Sequence, residues 1–134
     1  MAPDRPLRPY AARSGAARPV TEARQVALDL AERLQDMGPV TVRWFFGGAS
    51  LVLDGCQFAF VIKGALYLRA GPGNRALFDS CPTRPFTYEA AGRTVTVASY
   101  LEAPGHLFDD PDGLRLWSEA AFRAALSAKP RATR

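Results

Sequence analysis

Few side chains in this sequence could do covalent or acid–base chemistry, and their spacing works against it. The one histidine, His106, lies in a Pro-Gly-His loop with no serine motif nearby for it to activate. The two cysteines, Cys56 and Cys81, form no Cys-x-x-Cys pair. With His106 they are too few and too scattered for the roughly four ligands that a zinc ion takes. They read as two ordinary thiols. Asp109, Asp110 and Asp112 could hold a divalent ion or work as paired carboxylates. Their place just before a helical pattern gives a simpler account, namely N-capping and attraction to the positive helix end. Gly47-Gly48 and Gly71-Pro72-Gly73 lack P-loop spacing and the Lys-Ser/Thr pair that follows one, so they read as bends. No catalytic residue, metal site or cofactor is expected, which leaves binding as the function.

The charge distribution bears on what is bound. The chain of 134 residues carries a net +4, which looks like a nucleic-acid signal until it is divided. Residues 1–20 carry Arg5, Arg8, Arg13 and Arg18 against Asp4, and residues 127–134 carry Lys129, Arg131 and Arg134, +3 in each case. The body, 21–126, has 10 basic and 12 acidic residues, so the basicity is in the ends. Those ends, 1–20 as a basic lead-in and 128–134 as a basic tail, are Ala/Arg/Pro-rich and expected to be disordered. They could touch phosphates non-specifically. Within the body, 40–93 carries +3 and 94–126 carries −3. The six basic residues of the first segment, Arg43, Lys63, Arg69, Arg75, Arg84 and Arg93, are the candidate interaction surface.

The elements that must position them are legible. Thr21 is expected to cap a helix in which Ala23, Val26, Ala27, Leu30, Leu34 and Met37 recur at helical spacing, stopped by Gly38-Pro39. Strands are expected at Val40–Phe46, Ala49–Leu53, Cys56–Ile62 and Ala65–Arg69, with Gly47-Gly48, Asp54-Gly55 and Lys63-Gly64 as the turns. Links this short permit only antiparallel pairing. Asn74 is placed to cap a short helix, Arg75–Cys81, and Phe86–Glu89 and Arg93–Tyr100 read as a hairpin around Ala91-Gly92. Asp110 then caps a last helix with Pro111 in its first turn and Leu114, Trp117, Ala121, Ala124 and Ala125 as its buried stripe, widened by Phe122 and Leu126. The order α–β4–α–β2–α predicts one α+β domain over 21–127, an antiparallel sheet of about six strands with helices packed on it. Aromatic and basic residues alternate at Arg43-Trp44-Phe45-Phe46, Tyr67-Leu68-Arg69 and Arg84-Pro85-Phe86. Such alternation could make a stacking face for nucleic acid, but it also puts aromatics in the core and arginines outside. No apolar run approaches the ~18 residues of a membrane span, and Ala2–Val20 has no apolar signal core. A cytoplasmic protein with no membrane partner is expected.

The series Phe46-Gly47-Gly48, Asp54-Gly55, Phe58-Ala59-Phe60-Val61, Leu66-Tyr67-Leu68-Arg69, Asn74-Arg75, Phe78, Pro85-Phe86-Thr87-Tyr88, Leu107-Phe108-Asp109-Asp110 and Trp117 resembles the TfoX (Sxy) N-terminal domain family. The likeness covers about 21–127. It implies a small α+β domain of bacterial regulators of natural competence, in whose best-known members it belongs to a protein assisting the cyclic-AMP receptor protein at competence promoters. The resemblance thus implies a transcription co-regulator whose partner is a protein, a transcription factor or a polymerase-associated one, with no enzymatic residues to carry over. The family's usual second, helical domain is not expected here, so a stand-alone member is anticipated. Two other kinds of partner follow from the residues: nucleic acid at the basic ends, and a small ligand between sheet and helices near Trp44, Tyr67, Tyr88 and Trp117.

Overall fold

Four two-residue hairpins organise the chain, and each turns on the same backbone conformation. Phe46-Gly47, Asp54-Gly55, Lys63-Gly64 and Ala91-Gly92 all have positive φ at both positions, from 48° to 54° at the first and from 77° to 81° at the second. That is the type I′ geometry whose twist matches the flanking strands, and glycine at the second position accepts it without strain. The computed structural model describes residues 19–128; the N-terminal lead-in up to residue 18 and the tail from 129 lie outside the described residues.

Helix α1 spans Pro19–Arg33 and is followed by a 3-10 turn, Gln35–Met37. Thr21 therefore lies inside the helix and not at its cap, and the lead-in is two residues shorter than its prolines implied. Pro19 is the first helical residue, where a missing N–H costs nothing. Strands β1 (Thr41–Phe45), β2 (Gly48–Leu53), β3 (Cys56–Ile62) and β4 (Ala65–Arg69) make an antiparallel meander. A short helix α2 (Arg75–Asp79) leads to β5 (Pro85–Ala90) and β6 (Arg93–Glu102), and a 3-10 turn, Gly105–Asp109, precedes α3 (Pro111–Ala128). The sheet order is β1-β2-β3-β4-β6-β5, which makes β1 and β5 the edges.

The sheet has two unequal faces. Ala49, Leu51, Ala59, Val61, Leu66 and Leu68 point to one side, where Ala23, Ala27, Leu30 and Leu34 from the first helical segment and Leu114, Trp117 and Ala121 of α3 complete the main core. Phe60, Phe86 and Tyr100 form a second cluster on the other side, joined by Phe45, Tyr67 and Tyr88. A register shift between Leu51 and Val52 sets two residues of β3, Phe58 and Ala59, against Leu51. This bulge turns Phe58 to the helix side, where its ring meets Phe122 at 6.1 Å. Strict alternation would have placed Phe58 beside Phe60. The buried stripe of α3 is as expected at Leu114, Trp117, Ala121, Ala124 and Ala125, but Leu126 faces solvent.

Asp110 caps α3 through a 3.0 Å bond from the Gly113 N–H to its Oδ1. Asn74 does not cap α2 with its side chain. It is 3% exposed and turns backward, accepting from the Gly71 N–H at 2.8 Å and donating to the Arg69 carbonyl at 2.9 Å. The connector after β4 is held by this clamp.

Candidate interaction surface

The six candidate basic residues sit on separate elements. Arg43 is the middle residue of edge strand β1, Lys63 is in the β3–β4 turn, and Arg69 ends β4. Arg75 starts α2, Arg84 precedes β5, and Arg93 starts β6. The strand directions put the turn carrying Lys63 and the hairpin carrying Arg93 at opposite ends of the sheet. Arg84 is engaged with Glu102 at 3.0 Å, a pair that raises its already high pKa chiefly through the hydrogen bond. Arg69 is half-buried, its guanidinium carbon 5.6 Å over the Tyr100 ring and its Nε buried without a hydrogen-bond partner among the described residues. The ring face supplies the attraction that a carboxylate would otherwise give. Tyr67 and Arg69 share a face two residues apart, with Leu68 between them pointing into the main core. Of the six, Arg43, Arg69 and Arg93 have the strand parity of the sheet face opposite the helices, on three different strands.

That face is a continuous set of aromatic contacts. Phe60 stands at its centre, fully buried, with centroid distances of 4.5 Å to Phe45, 5.3 Å to Tyr67, 4.9 Å to Phe86 and 4.8 Å to Tyr100. Tyr100 Oη donates to the Gln57 carbonyl at 3.1 Å. Burial, reinforced by the nearby Glu102 carboxylate, raises the pKa of Tyr67 despite the opposing Arg84. Phe46, from the first hairpin turn, stacks on Tyr88 of the far edge strand at 5.2 Å. The sheet therefore curls enough to bring its two edges into contact through side chains.

The curl leaves an exposed rim. Phe46 is 55% exposed despite its contact with Tyr88, and Trp44 is 71% exposed on β1. The alternation of Arg43 with Trp44 thus does not bury the tryptophan, because β1 is an edge and its end projects past the covering helix. Arg43 is exposed too and makes no ion pair among the described residues. Arg43 and Phe46 lie toward the aromatic side and Trp44 toward the helix side, so the end of β1 carries a cation and two large exposed rings on its two faces, residue types typical of interface centres. In the sequence the run Arg43-Trp44-Phe45-Phe46 reads as a candidate stacking face, but core placement of its aromatics is the preferred expectation.

The four aromatics expected to line one ligand pocket are not together. Tyr67 and Tyr88 belong to the aromatic face, Trp44 to the rim, and Trp117 packs edge-on against Phe78 at 5.1 Å in the main core. A groove of about 520 Å³ lies elsewhere, between the Arg69–Gly73 connector and the last turns of α3, where Arg123, Ala124, Ser127 and Ala128 line it. His106 is exposed, Cys56 is buried and Cys81 half-buried, both as free thiols. Among the described residues no group of three or more His, Cys, Asp or Glu is placed to hold a metal ion. Nor is any helix there long and apolar enough to cross a membrane.

A hairpin-built antiparallel sheet, helices on one face and an exposed aromatic rim at its edge define an α+β domain. The chain belongs to the TfoX N-terminal domain family, whose model matches residues 32–125. It is 38% identical over 98 residues to Protein Sxy of Escherichia coli (strain K12), an alignment that covers 73% of this chain and 46% of Sxy. The chain thus spans about half the length of that relative.

Proposed function

We propose that this domain is a non-enzymatic regulatory module that binds a protein partner associated with transcription, and that Arg43, Trp44 and Phe46 are the centre of the contact. One observation carries the reading: two large rings stand 71% and 55% exposed at the end of the edge strand that carries Arg43, an exposed arginine without an ion pair among the described residues. Leaving a tryptophan in water forfeits the stabilisation its burial would give, and a partner that covers it recovers that term. Membership of the TfoX family supports the link to transcription. Lys63, Arg69, Arg75, Arg84 and Arg93 join the contact only as charges around the domain, since they occupy separate elements.

Affinity purification from the native cell with mass spectrometry tests this, with the wild-type chain beside an Arg43→Glu/Trp44→Ala/Phe46→Ala variant. A transcription factor or polymerase component recovered with wild type and lost with the variant is the expected result. Equal recovery with both removes the surface, and recovery of no transcription component removes the function.

The groove beside α3 favours a second reading, binding of a small anionic ligand. Arg123 lines it and no acidic residue does, while the Arg69 guanidinium is turned to Tyr100 on the other face. Inorganic phosphate or a mononucleotide that fills the groove raises the melting temperature, and Arg123→Ala abolishes the rise. The reading that the basic ends bind nucleic acid concerns residues outside those described. It predicts an affinity falling steeply with salt and lost on removal of 1–20 and 128–134.

A further inference from the structure

Strand β1 presents an open backbone edge, and its geometry specifies what can pair with it. In a two-residue hairpin the residues flanking the turn exchange both backbone bonds, so Phe45 pairs in this way with Gly48. Alternation then makes Arg43–Ser50 and Thr41–Val52 the other bonded pairs. The N–H and C=O groups of Val42 and Trp44 therefore point away from β2, toward the open side. β1 contains no proline, no bulge and no lysine, so the one charge on this five-residue edge is Arg43. The other edge strand, β5, opens on Pro85 and carries Glu89.

We propose that β1 receives an extended segment of a partner protein as a seventh strand, and that this segment carries an acidic residue opposite Arg43 between two apolar ones. This deepens the proposed function and rests on it. Four backbone bonds, at Val42 and Trp44, set the register. The residue opposite Arg43 then falls in a non-bonded pair, where side chains are closest, and a carboxylate there meets an exposed guanidinium with no ion pair among the described residues. The residue opposite Trp44 packs on the exposed ring on the helix side.

A second copy of this chain fits the same edge badly. The two-fold register that pairs Val42 with Trp44 of the other copy sets two Arg43 residues directly opposite, with Cα atoms about 4.5 Å apart. Shifting the axis to Trp44 leaves Val42 facing Phe46, whose φ of 48° belongs to a turn and cannot extend a strand. Centring the axis on Val42 sets Trp44 against Val40, whose N–H already donates to the Gly38 carbonyl and whose C=O accepts from Gln35. Charge and register thus both select a different chain with an acidic centre.

The test uses two probes, peptides with the central pattern Thr-Val-Glu-Val-Thr and Thr-Val-Lys-Val-Thr, added to the whole chain. Binding is read from the fluorescence of Trp44, with Trp44→Phe as the blank, and from amide hydrogen exchange at Val42 and Trp44. Wild type should prefer the glutamate peptide about tenfold, the sum of one attractive and one repulsive cross-strand charge pair. Arg43→Glu should reverse that preference, and the Val42 and Trp44 amides should gain protection on binding. Trp44→Pro removes an outward N–H that β2 does not use, so it should weaken binding well beyond Trp44→Ala while the fold persists. Equal binding of both peptides, no binding of either, unprotected amides at 42 and 44, or concentration-dependent dimers in sedimentation each overturn the proposal. If the natural partner is lost with Trp44→Ala and no further with Trp44→Pro, strand pairing fails while the interaction surface stands.

Discussion

Asn74 gives the sharpest test of the reasoning about the scaffold, because two different roles for it predict opposite results. If it were a helix cap, serine would replace it well, since Asn and Ser cap almost equally. In the structure its amide instead spans two backbone groups, accepting from the Gly71 N–H at 2.8 Å and donating to the Arg69 carbonyl at 2.9 Å. Asn74→Ala strands both groups where the residue was 3% exposed. At about 1–2 kcal/mol for each abandoned group, the loss is about 2–4 kcal/mol. With a urea slope of about 1.5 kcal/mol/M, the midpoint falls by about 1–3 M. Asn74→Ser must cost nearly as much, because one short hydroxyl cannot bridge both partners. Ser80→Ala is the control: its hydroxyl bonds the Leu77 carbonyl at 2.6 Å on an exposed surface, and its loss should cost less than about 0.5 kcal/mol. Urea unfolding followed by circular dichroism measures all three. Full rescue by serine, or an alanine variant no weaker than Ser80→Ala, refutes the clamp.

Other consequences are equally direct. A Cβ at Gly48 would run into the Val61 carbonyl and lie 2.6 Å from Ile62 Cγ1, so Gly48→Ala should lower the thermal midpoint severely. Gly47→Ala meets nothing within 4 Å and costs only the strain of a left-handed residue, about 1 kcal/mol, so the two neighbours should separate clearly in a melting experiment. Tyr67 has its pKa raised above the usual 10.0, first by burial and then by Glu102. Its contribution to stability is therefore complete below pH 10 and lost as the pH climbs through the folded-state value. Phenolate absorbance should show its midpoint above 10, and Glu102→Gln should lower that midpoint without abolishing the shift. Trp117→Ala removes a buried ring packed on Phe78 and should cost about 3–5 kcal/mol in chemical unfolding.

The meander was legible because its turns are local. Asp54-Gly55, Lys63-Gly64 and Ala91-Gly92 sit between apolar flanks, and glycine at the second position answers a backbone need that depends on nothing distant. The first turn was misplaced by one residue for the opposite reason. Gly48 is not a bend; it is in β2 because the Val61 carbonyl passes too close for any side chain, a long-range fact invisible in a local pattern. Asn74 was misread likewise, since its true partners, Arg69 and Gly71, precede it and a cap would follow. The bulge that turns Phe58 to the helices breaks the period of two without leaving a glycine or proline to announce it.

The exposure of the rim was misjudged from the sequence because alternation says which face a residue takes and nothing about whether that face is covered. Trp44 has the parity of Val42, and Val42 packs against the main core. Trp44 is one turn of the strand further along, at the projecting end of an edge, and stays 71% exposed. Its exposure depends on where α1 runs and on β1 being outermost, both settled by tertiary packing. The same logic explains why the six basic residues form no single patch. They were grouped by their stretch of sequence, whereas hairpins send successive turns to opposite ends of a sheet. Net charge along a meander therefore describes the whole domain, while a binding contact depends on the two or three side chains that an edge or a turn sets side by side.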